Sequence, residues 1–134
     1  MRINYLYSAA TDLCRYLDQP DTHRALDSLW HSIVDRRMYV TGGVGGPAHA
    51  EQLADDWVLD NARCYCECCA NIAHGQWNHR LNLLSGEAKY IDLVEIEAYN
   101  AGLSGISLPG TEYFYCNPLM CTKQNSSNQH TGVR

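Results

Sequence analysis

Apolar residues recur at three- and four-residue steps in four stretches of the chain, and this spacing predicts four helices. The predicted helices cover residues 3–18, 21–34, 66–84 and 88–103. Segments suited to helix ends separate them: D-Q-P-D before the second helix, a glycine-rich segment after it, and S-G after the third. The pattern therefore predicts a mainly α-helical fold built from helical hairpins.

Each predicted helix has an apolar face that we expect to be buried. The face of the first helix is formed by Leu6, Ala10, Leu13, Cys14 and Leu17. That of the second is formed by Ala25, Leu26, Leu29, Trp30 and Ile33. The third is interrupted by H-G-Q at residues 74–76. Four such faces need more partners than 134 residues supply, which predicts an incomplete fold that self-associates through exposed apolar helix faces.

The pattern changes near the C-terminus. The segment G-I-S-L-P-G-T-E-Y-F-Y-C-N-P-L, residues 105–119, predicts a short β-hairpin that turns at Pro109-Gly110. The polar tail that follows predicts disorder. Residues 1–119 are therefore expected to form one partial domain, with residues 120–134 as a disordered tail.

Composition and charge exclude several classes of function. The net charge is −5 and there is no basic run, so nucleic acid and anionic membranes are not expected partners. No apolar run approaches the ~20 residues that a membrane helix needs. The N-terminus lacks the apolar region of a signal peptide, which predicts a cytoplasmic location provided that Met1 is the native start.

Four of the seven cysteines, at positions 64, 66, 68 and 69, surround Glu67. The odd count and the close spacing are not typical of a disulfide framework. Cys66 and Cys69 have C-x-x-C spacing, but the second pair that closes a zinc finger is missing. Two interpretations stay open: a small zinc-binding module that uses the Cys64–Cys69 cluster, or thiols that pack as small buried hydrophobes.

The segment M-Y-V-T-G-G-V-G-G-P-A-H-A-E, residues 38–51, has four glycines in five positions and so predicts neither a helix nor a regular strand. It lacks the Gly-Lys-Ser/Thr ending of a phosphate-binding loop. A tight loop that brings backbone close to a ligand or another helix is expected instead. Glu51 follows directly and is a candidate general acid or base. Glu51 and Glu67 together are consistent with a glycosidase pair, which spacing alone does not establish.

Several longer motifs occur in a fixed order. They are M-Y-V-T-G-G-V-G-G-x-A-H-x-E, E-C-C-A-N-I, W-N-x-R-L, G-E-A-K-Y-I-D-L-V-E, Y-N-A-G-L-S-G-I-S-L-P-G and Y-F-Y-C-N-P-L. In this combination the chain resembles glycoside hydrolase family 127, the β-L-arabinofuranosidase-like family, from about Tyr5 to Leu119. The resemblance implies part of an (α/α)6 barrel, and a retaining mechanism in which a zinc-bound cysteine is the nucleophile.

The resemblance also implies roles for individual residues. Glu51 matches the general acid/base, and His49 lies in the same loop as a substrate-binding candidate. Glu67 and Cys69 match zinc ligands, whereas Cys68 stands where the family usually has threonine. Two further residues match positions expected to contact the sugar: Glu95 and Tyr115.

One motif of the family does not occur in the 134 residues. The family's C-C-P-P-type cysteine pair follows the N-P-L segment and supplies the nucleophile and the remaining zinc ligands. We therefore expect a partial zinc site and no glycosidase activity from this chain alone, with a carbohydrate substrate for the intact protein. The alternatives are the small zinc-binding module and an inactive helical remnant.

Overall fold

The structure is a computed structural model that describes residues 2–46, 51–120 and 131–133, with side chains described up to residue 120. Four α-helices are followed by two short helical turns and two strands. In chain order they are α1 Ile3–Tyr16, α2 Pro20–Val34, α3 Cys68–Ser85, α4 Ala88–Ile96, a π-helix Glu97–Gly102, a 3₁₀ turn Leu103–Gly105, β1 Glu112–Phe114 and β2 Thr131–Val133. The predicted mainly helical fold is confirmed.

Helix α2 buries the apolar face that its sequence predicted. Leu26, Trp30 and Ile33 are each at most 5% exposed. The Trp30 ring packs edge-on against Tyr90 of α4, with 5.2 Å between ring centroids. The main core that these residues enter consists of Leu26, Trp30, Ile33, Val44, Ala70, Trp77, Leu81, Tyr90 and Leu93.

Helix α1 buries a polar face, so the prediction of its apolar face was right only for Ala10 and Cys14, which are partly buried against the main core. Three leucines of the predicted face are more than half exposed: Leu6, Leu13 and Leu17. Asn4, Ser8 and Thr11 are buried instead. The hydroxyl groups of Ser8 and Thr11 donate to carbonyls one turn earlier, and Thr11 also accepts a hydrogen bond from the Trp77 indole at 3.0 Å. Because these side chains are small and locally satisfied, α1 can lie directly against α3.

The fourth predicted helix changes type partway along its length. Regular α-helix ends at Ile96, and the wider π-helix continues to Gly102. In the widened part, the Ala101 N–H donates to the Thr41 carbonyl at 3.3 Å. The glycine-rich segment, which we define as residues 39–46, therefore packs directly on this turn.

The predicted turn at Pro109-Gly110 is present, but the strand that follows has a different main partner. Ile106 and Tyr113 form a single antiparallel bridge across the turn. Strand β1 pairs mainly with β2, in antiparallel register with Glu112 opposite Val133. Residues 131–133 thus form a strand within the tail that was predicted to be disordered, and residues 121–130 and 134 lie outside the described residues.

The surface of the described residues carries many large apolar side chains. Tyr16, Val40, Trp57, Tyr99 and Leu108 are each at least 70% exposed. Within the described ranges, no helix is both long and apolar enough to cross a membrane. Self-association through these faces stays a prediction.

Candidate active site

Two of the motif segments lie side by side at the start of α3. Glu67 forms an antiparallel bridge with Cys116. The Cys68 N–H also donates to the Tyr115 carbonyl at 3.1 Å. Residues 48 positions apart in the sequence are thereby brought into contact at the N-terminus of α3.

The Glu67 carboxyl group is the centre of this region. Glu67 is the N-cap residue of α3 and is 2% exposed. The Tyr115 hydroxyl donates a hydrogen bond to its Oε1 at 2.7 Å. This bond to the carboxylate, followed by burial, raises the pKa of Tyr115. The other oxygen, Oε2, is buried and has no hydrogen-bond partner among the described residues.

A buried carboxylate oxygen without a partner requires an explanation, because desolvating an anion is costly. The positive end of the α3 dipole offsets part of this cost for a carboxylate at its N-terminus. The hydrogen bond from the Tyr115 hydroxyl offsets a further part of the desolvation cost, but only at Oε1. Oε2 is thus the oxygen of this carboxyl group that can still bind a cation or accept a hydrogen bond.

The two cysteines that begin α3 have different surroundings. The Cys68 thiol donates to the Phe114 carbonyl at 3.0 Å and accepts from the Asn117 side-chain amide at 3.1 Å. Cys69 is partly buried, and its carbonyl accepts the Tyr5 hydroxyl at 3.5 Å. Cys68 is therefore held by the neighbouring segment, as expected for a structural residue.

Tyr65 lies beside the same carboxyl group, and the motif analysis did not identify it. Its ring packs edge-on against Tyr115, with 6.2 Å between centroids. Burial, followed by the negative charge of Glu67 and, more weakly, that of Glu51, raises the pKa of Tyr65 to about 12. The negative charges of Glu51 and Glu67 therefore both act on the Tyr65 hydroxyl.

Backbone hydrogen bonds join Gly46 to Gln52, the residue after Glu51, and to Tyr65. The Gly46 N–H donates to the Gln52 carbonyl at 2.7 Å, and the Tyr65 N–H donates to the Gly46 carbonyl at 2.8 Å. Glu51 itself is exposed. His49 lies outside the described residues. The other predicted sugar contact, Glu95, is exposed on α4.

Cys64 and Cys66 belong to a separate small cluster with Tyr39. Cys66 adopts a φ of 34°, a left-handed conformation that is uncommon for cysteine. The Cys66 thiol stabilises the Cys64 thiolate by a hydrogen bond, which lowers the pKa of Cys64 to about 7. Within the described ranges, no group of three or more His, Cys, Asp or Glu side chains is arranged to hold a metal ion. The small zinc-binding module stays a prediction.

A further set of buried polar residues was missed by the sequence analysis. They follow Glu67 along one face of α3, at 4-, 3- and 4-residue steps: Asn71, His74 and Asn78. Each is at most 2% exposed. The spacing of these residues is that of a buried helix face and is visible in the sequence. The sequence analysis missed it because it searched for apolar residues at this spacing, and these residues are polar. We call Glu67, Asn71, His74 and Asn78 the polar stripe of α3.

Comparison with known proteins shows what this chain is similar to. Residues 2–134 match the family model described as β-L-arabinofuranosidase, GH127 catalytic domain. A non-reducing end β-L-arabinofuranosidase of Bifidobacterium longum subsp. longum is 33% identical over 128 residues. That match covers 96% of this chain and 20% of the relative.

Solved structures give the same result. A GH127 β-arabinofuranosidase is 40% identical with a TM-score of 0.85, over 88% of this chain and 19% of the solved one. A GH127 β-L-arabinofuranosidase from Geobacillus stearothermophilus T6 is 36% identical with a TM-score of 0.89, over 96% of this chain and 20% of the solved one. The chain thus spans about a fifth of the length of these relatives.

Proposed function

Since the chain belongs to the GH127 catalytic-domain family, we propose that it forms part of a zinc-dependent, retaining glycoside hydrolase. Its substrates are β-L-arabinofuranosides or related sugars. Its helices form part of an (α/α)6 barrel, and the 134 residues alone do not hydrolyse the glycoside.

The observation that carries this proposal is the Glu67 carboxyl group at the start of α3. Its Oε2 is buried without a hydrogen-bond partner among the described residues, while Tyr115 occupies Oε1. Cys69 follows in the first turn of the same helix. A carboxylate oxygen and a thiolate are both ligands that zinc accepts, so these two residues fit half of a four-coordinate site.

Glu67 and Cys69 would hold the zinc ion, which when bound keeps cysteine sulfur in its nucleophilic thiolate form at neutral pH. The remaining ligands and the nucleophile would come from a cysteine pair that these 134 residues do not contain. Tyr115 acts on Glu67, since its hydroxyl fixes one carboxyl oxygen and leaves the other for the metal.

Glu51 is the general acid/base in this proposal. The hydrogen bond from the Gly46 N–H to the Gln52 carbonyl ends beside Glu51 in the sequence. The negative charge of Glu51 contributes to the raised pKa of Tyr65. In the first half of the reaction Glu51 would protonate the leaving oxygen, and in the second it would remove a proton from the attacking water. His49, Glu95 and Tyr115 would bind sugar hydroxyls.

A chimera tests the proposed function. Residues 2–134 replace the matching segment of the Geobacillus stearothermophilus enzyme, and hydrolysis of a chromogenic β-L-arabinofuranoside is measured. We expect an active chimera in which Glu51→Gln lowers kcat by about 10²–10⁴-fold, the usual contribution of a general acid/base.

Glu112→Gln is the matched control, because Glu112 is an exposed carboxylate in β1. It should leave kcat unchanged. A folded, active chimera that keeps its kcat in the Glu51→Gln variant would contradict the assignment of Glu51. Release of sugar by the isolated 134-residue chain would contradict the proposal that the chain alone is inactive.

A further inference from the structure

A second carboxyl group, that of Glu97 in the π-helix, is buried against α3 outside the motifs that identified the site. The His74 Nδ1 and Glu97 Oε1 atoms are 2.6 Å apart, and the two side chains are 0% and 4% exposed. His74 lies seven residues after Glu67, which is about 10 Å along the helix. The pair is therefore separate from the Glu67 carboxyl group.

Further hydrogen bonds attach this pair to helix α2. The Asn78 side-chain amide donates to the His74 carbonyl at 3.0 Å and to Glu97 Oε1 at 3.4 Å. Its carbonyl oxygen accepts the Trp30 indole N–H at 2.7 Å. Burial raises the pKa of Glu97, and its hydrogen bond with His74 opposes this rise. Such a pair gives little net stability, and its best-attested use is to select one arrangement of the surrounding elements.

Glu97 also explains two glycines in different segments. A Cβ atom on Gly75 would lie 2.7 Å from Glu97 Oε2, and one on Gly42 would lie 2.8 Å from Glu97 Cγ. Real Cβ atoms essentially never approach other atoms so closely. The Glu97 side chain therefore lies between α3 and the glycine-rich segment, and a Cβ atom at either glycine would require it to shift.

Asn71 connects this contact to the candidate site. It lies on the polar stripe between Glu67 and His74, and its Oδ1 accepts the Val44 N–H at 3.0 Å. Its Nδ2 donates to the Ala101 carbonyl at 3.4 Å. The glycine-rich segment, the π-helix and α3 thus meet along the stripe that begins at Glu67. π-Helical turns of this kind occur frequently at functional sites.

We propose that the buried His74–Glu97 pair is a positioning element that holds the glycine-rich segment, residues 39–46, against α3 and so fixes the Glu67 carboxyl group. His74 and Glu97 act through these residues and do not contact the reacting atoms. The role of Glu67 in this proposal rests on the proposed function. The packing of the glycine-rich segment against α3 by the His74–Glu97 pair does not depend on it.

Nuclear magnetic resonance of the 134-residue chain tests this proposal without zinc or sugar. Tyrosine ring carbons are labelled, and the Tyr115 signal, assigned with Tyr115→Phe, reports the Glu67 contact. We expect Glu97→Ala to shift the Tyr115 signal and Glu97→Gln, which keeps the shape and an acceptor for His74, to restore it. Asp12→Ala is the matched control, since it removes the Arg80 partner on the outer side of α3 and should leave the Tyr115 signal unchanged.

A double substitution tests the packing on which the proposal depends. We expect Gly75→Ala alone to lower the midpoint of urea unfolding and to shift the Tyr115 signal, because the methyl group meets Glu97. In the Glu97→Ala background, Gly75→Ala should raise the midpoint, since alanine favours a helix over glycine. Gly42→Ala should lower the midpoint in both backgrounds, because its φ of +80° disfavours alanine regardless of space.

An unchanged Tyr115 signal in Glu97→Ala, or an equal effect of Gly75→Ala in both backgrounds, would overturn the proposal. If Glu97→Ala does not fold, the Gly75→Ala variant alone tests the proposal. An unchanged Tyr115 signal in Gly75→Ala would then overturn the proposal. A shifted Tyr115 signal in the 134-residue chain, combined with a chimera that lacks zinc and activity, would leave the positioning role intact and refute the proposed function instead.

Discussion

Two carboxyl groups packed against α3 are about equally buried but have different surroundings. Glu67 and Glu97 are 2% and 3% exposed. Glu67 lies at the helix N-terminus, receives one hydrogen bond from a neutral phenol and keeps Oε2 without a partner among the described residues. Glu97 lies against the middle of the helix, where an imidazole and a side-chain amide share its Oε1. Glu97 Oε2 likewise has no hydrogen-bond partner among the described residues. The two groups therefore differ in their place along the helix and in their partners at Oε1, which are a phenol for Glu67 and an imidazole and an amide for Glu97.

The largest effect that this comparison predicts is on stability. His74→Ala leaves the Glu97 carboxyl group buried without its main partner, and breaking a buried pair in this way costs about 3–5 kcal/mol. Urea unfolding followed by circular dichroism measures the loss. Asp12→Ala, which breaks a partly exposed pair with Arg80, should cost no more than about 1 kcal/mol. Equal losses of unfolding free energy in His74→Ala and Asp12→Ala would show that the buried Glu97 carboxyl group depends on its partner no more than the partly exposed Asp12–Arg80 pair does.

Tyr115→Phe should have a smaller effect, because Glu67 lies at a helix end that already stabilises its charge. The lost hydrogen bond to a carboxylate is worth about 1.5–3 kcal/mol. Tyr113→Phe is the matched control two residues away; Tyr113 is 55% exposed, and its substitution should stay within about 0.5 kcal/mol of the parent. A Tyr115→Phe chain as stable as the Tyr113→Phe chain would show that the bond contributes nothing.

The smallest effect concerns the ionisation of Tyr115 at high pH. Its pKa is raised because the phenol donates to the Glu67 carboxylate, so the folded chain binds this proton more tightly than the unfolded chain does. The resulting stability is complete below the unfolded pKa near 10 and is lost as pH rises through the folded pKa. Glu67→Gln should lower the pKa of Tyr115, measured by titration of the labelled ring carbon. The pKa of Tyr115 should not change in Glu97→Gln.

The sequence predicted helices better than it predicted which faces they bury. The apolar spacing of α2 identified Leu26, Trp30 and Ile33 correctly, because that helix packs in an apolar core. The same rule was only partly right for α1, where Cys14 packs against the core but Ser8 and Thr11 are buried and Leu13 is exposed. Small polar side chains that hydrogen-bond their own helix can be buried at low cost, and apolar periodicity does not detect them.

The candidate site was predictable only as far as its motifs extend. The prediction that Glu67 and Tyr115 belong to one site required the resemblance, since contact across 48 residues cannot be inferred from local spacing. Glu97 matched no motif. Its proposed role follows only from the structure, in which Gly42 and Gly75 both lie against its side chain. The change to a π-helix after Ile96 was likewise not predictable from the apolar pattern, which continues without interruption to Leu103.

The most direct test of the central claim is the zinc content of the purified chimera. The account predicts one zinc ion per chain in the parent chimera and in its Glu97→Gln variant, and loss of that zinc in Glu67→Gln. Tyr115→Phe should weaken zinc binding by about 10–100-fold, as expected for a residue that orients a ligand. Full zinc occupancy in the Glu67→Gln chimera, or a folded parent chimera without zinc, would contradict the account.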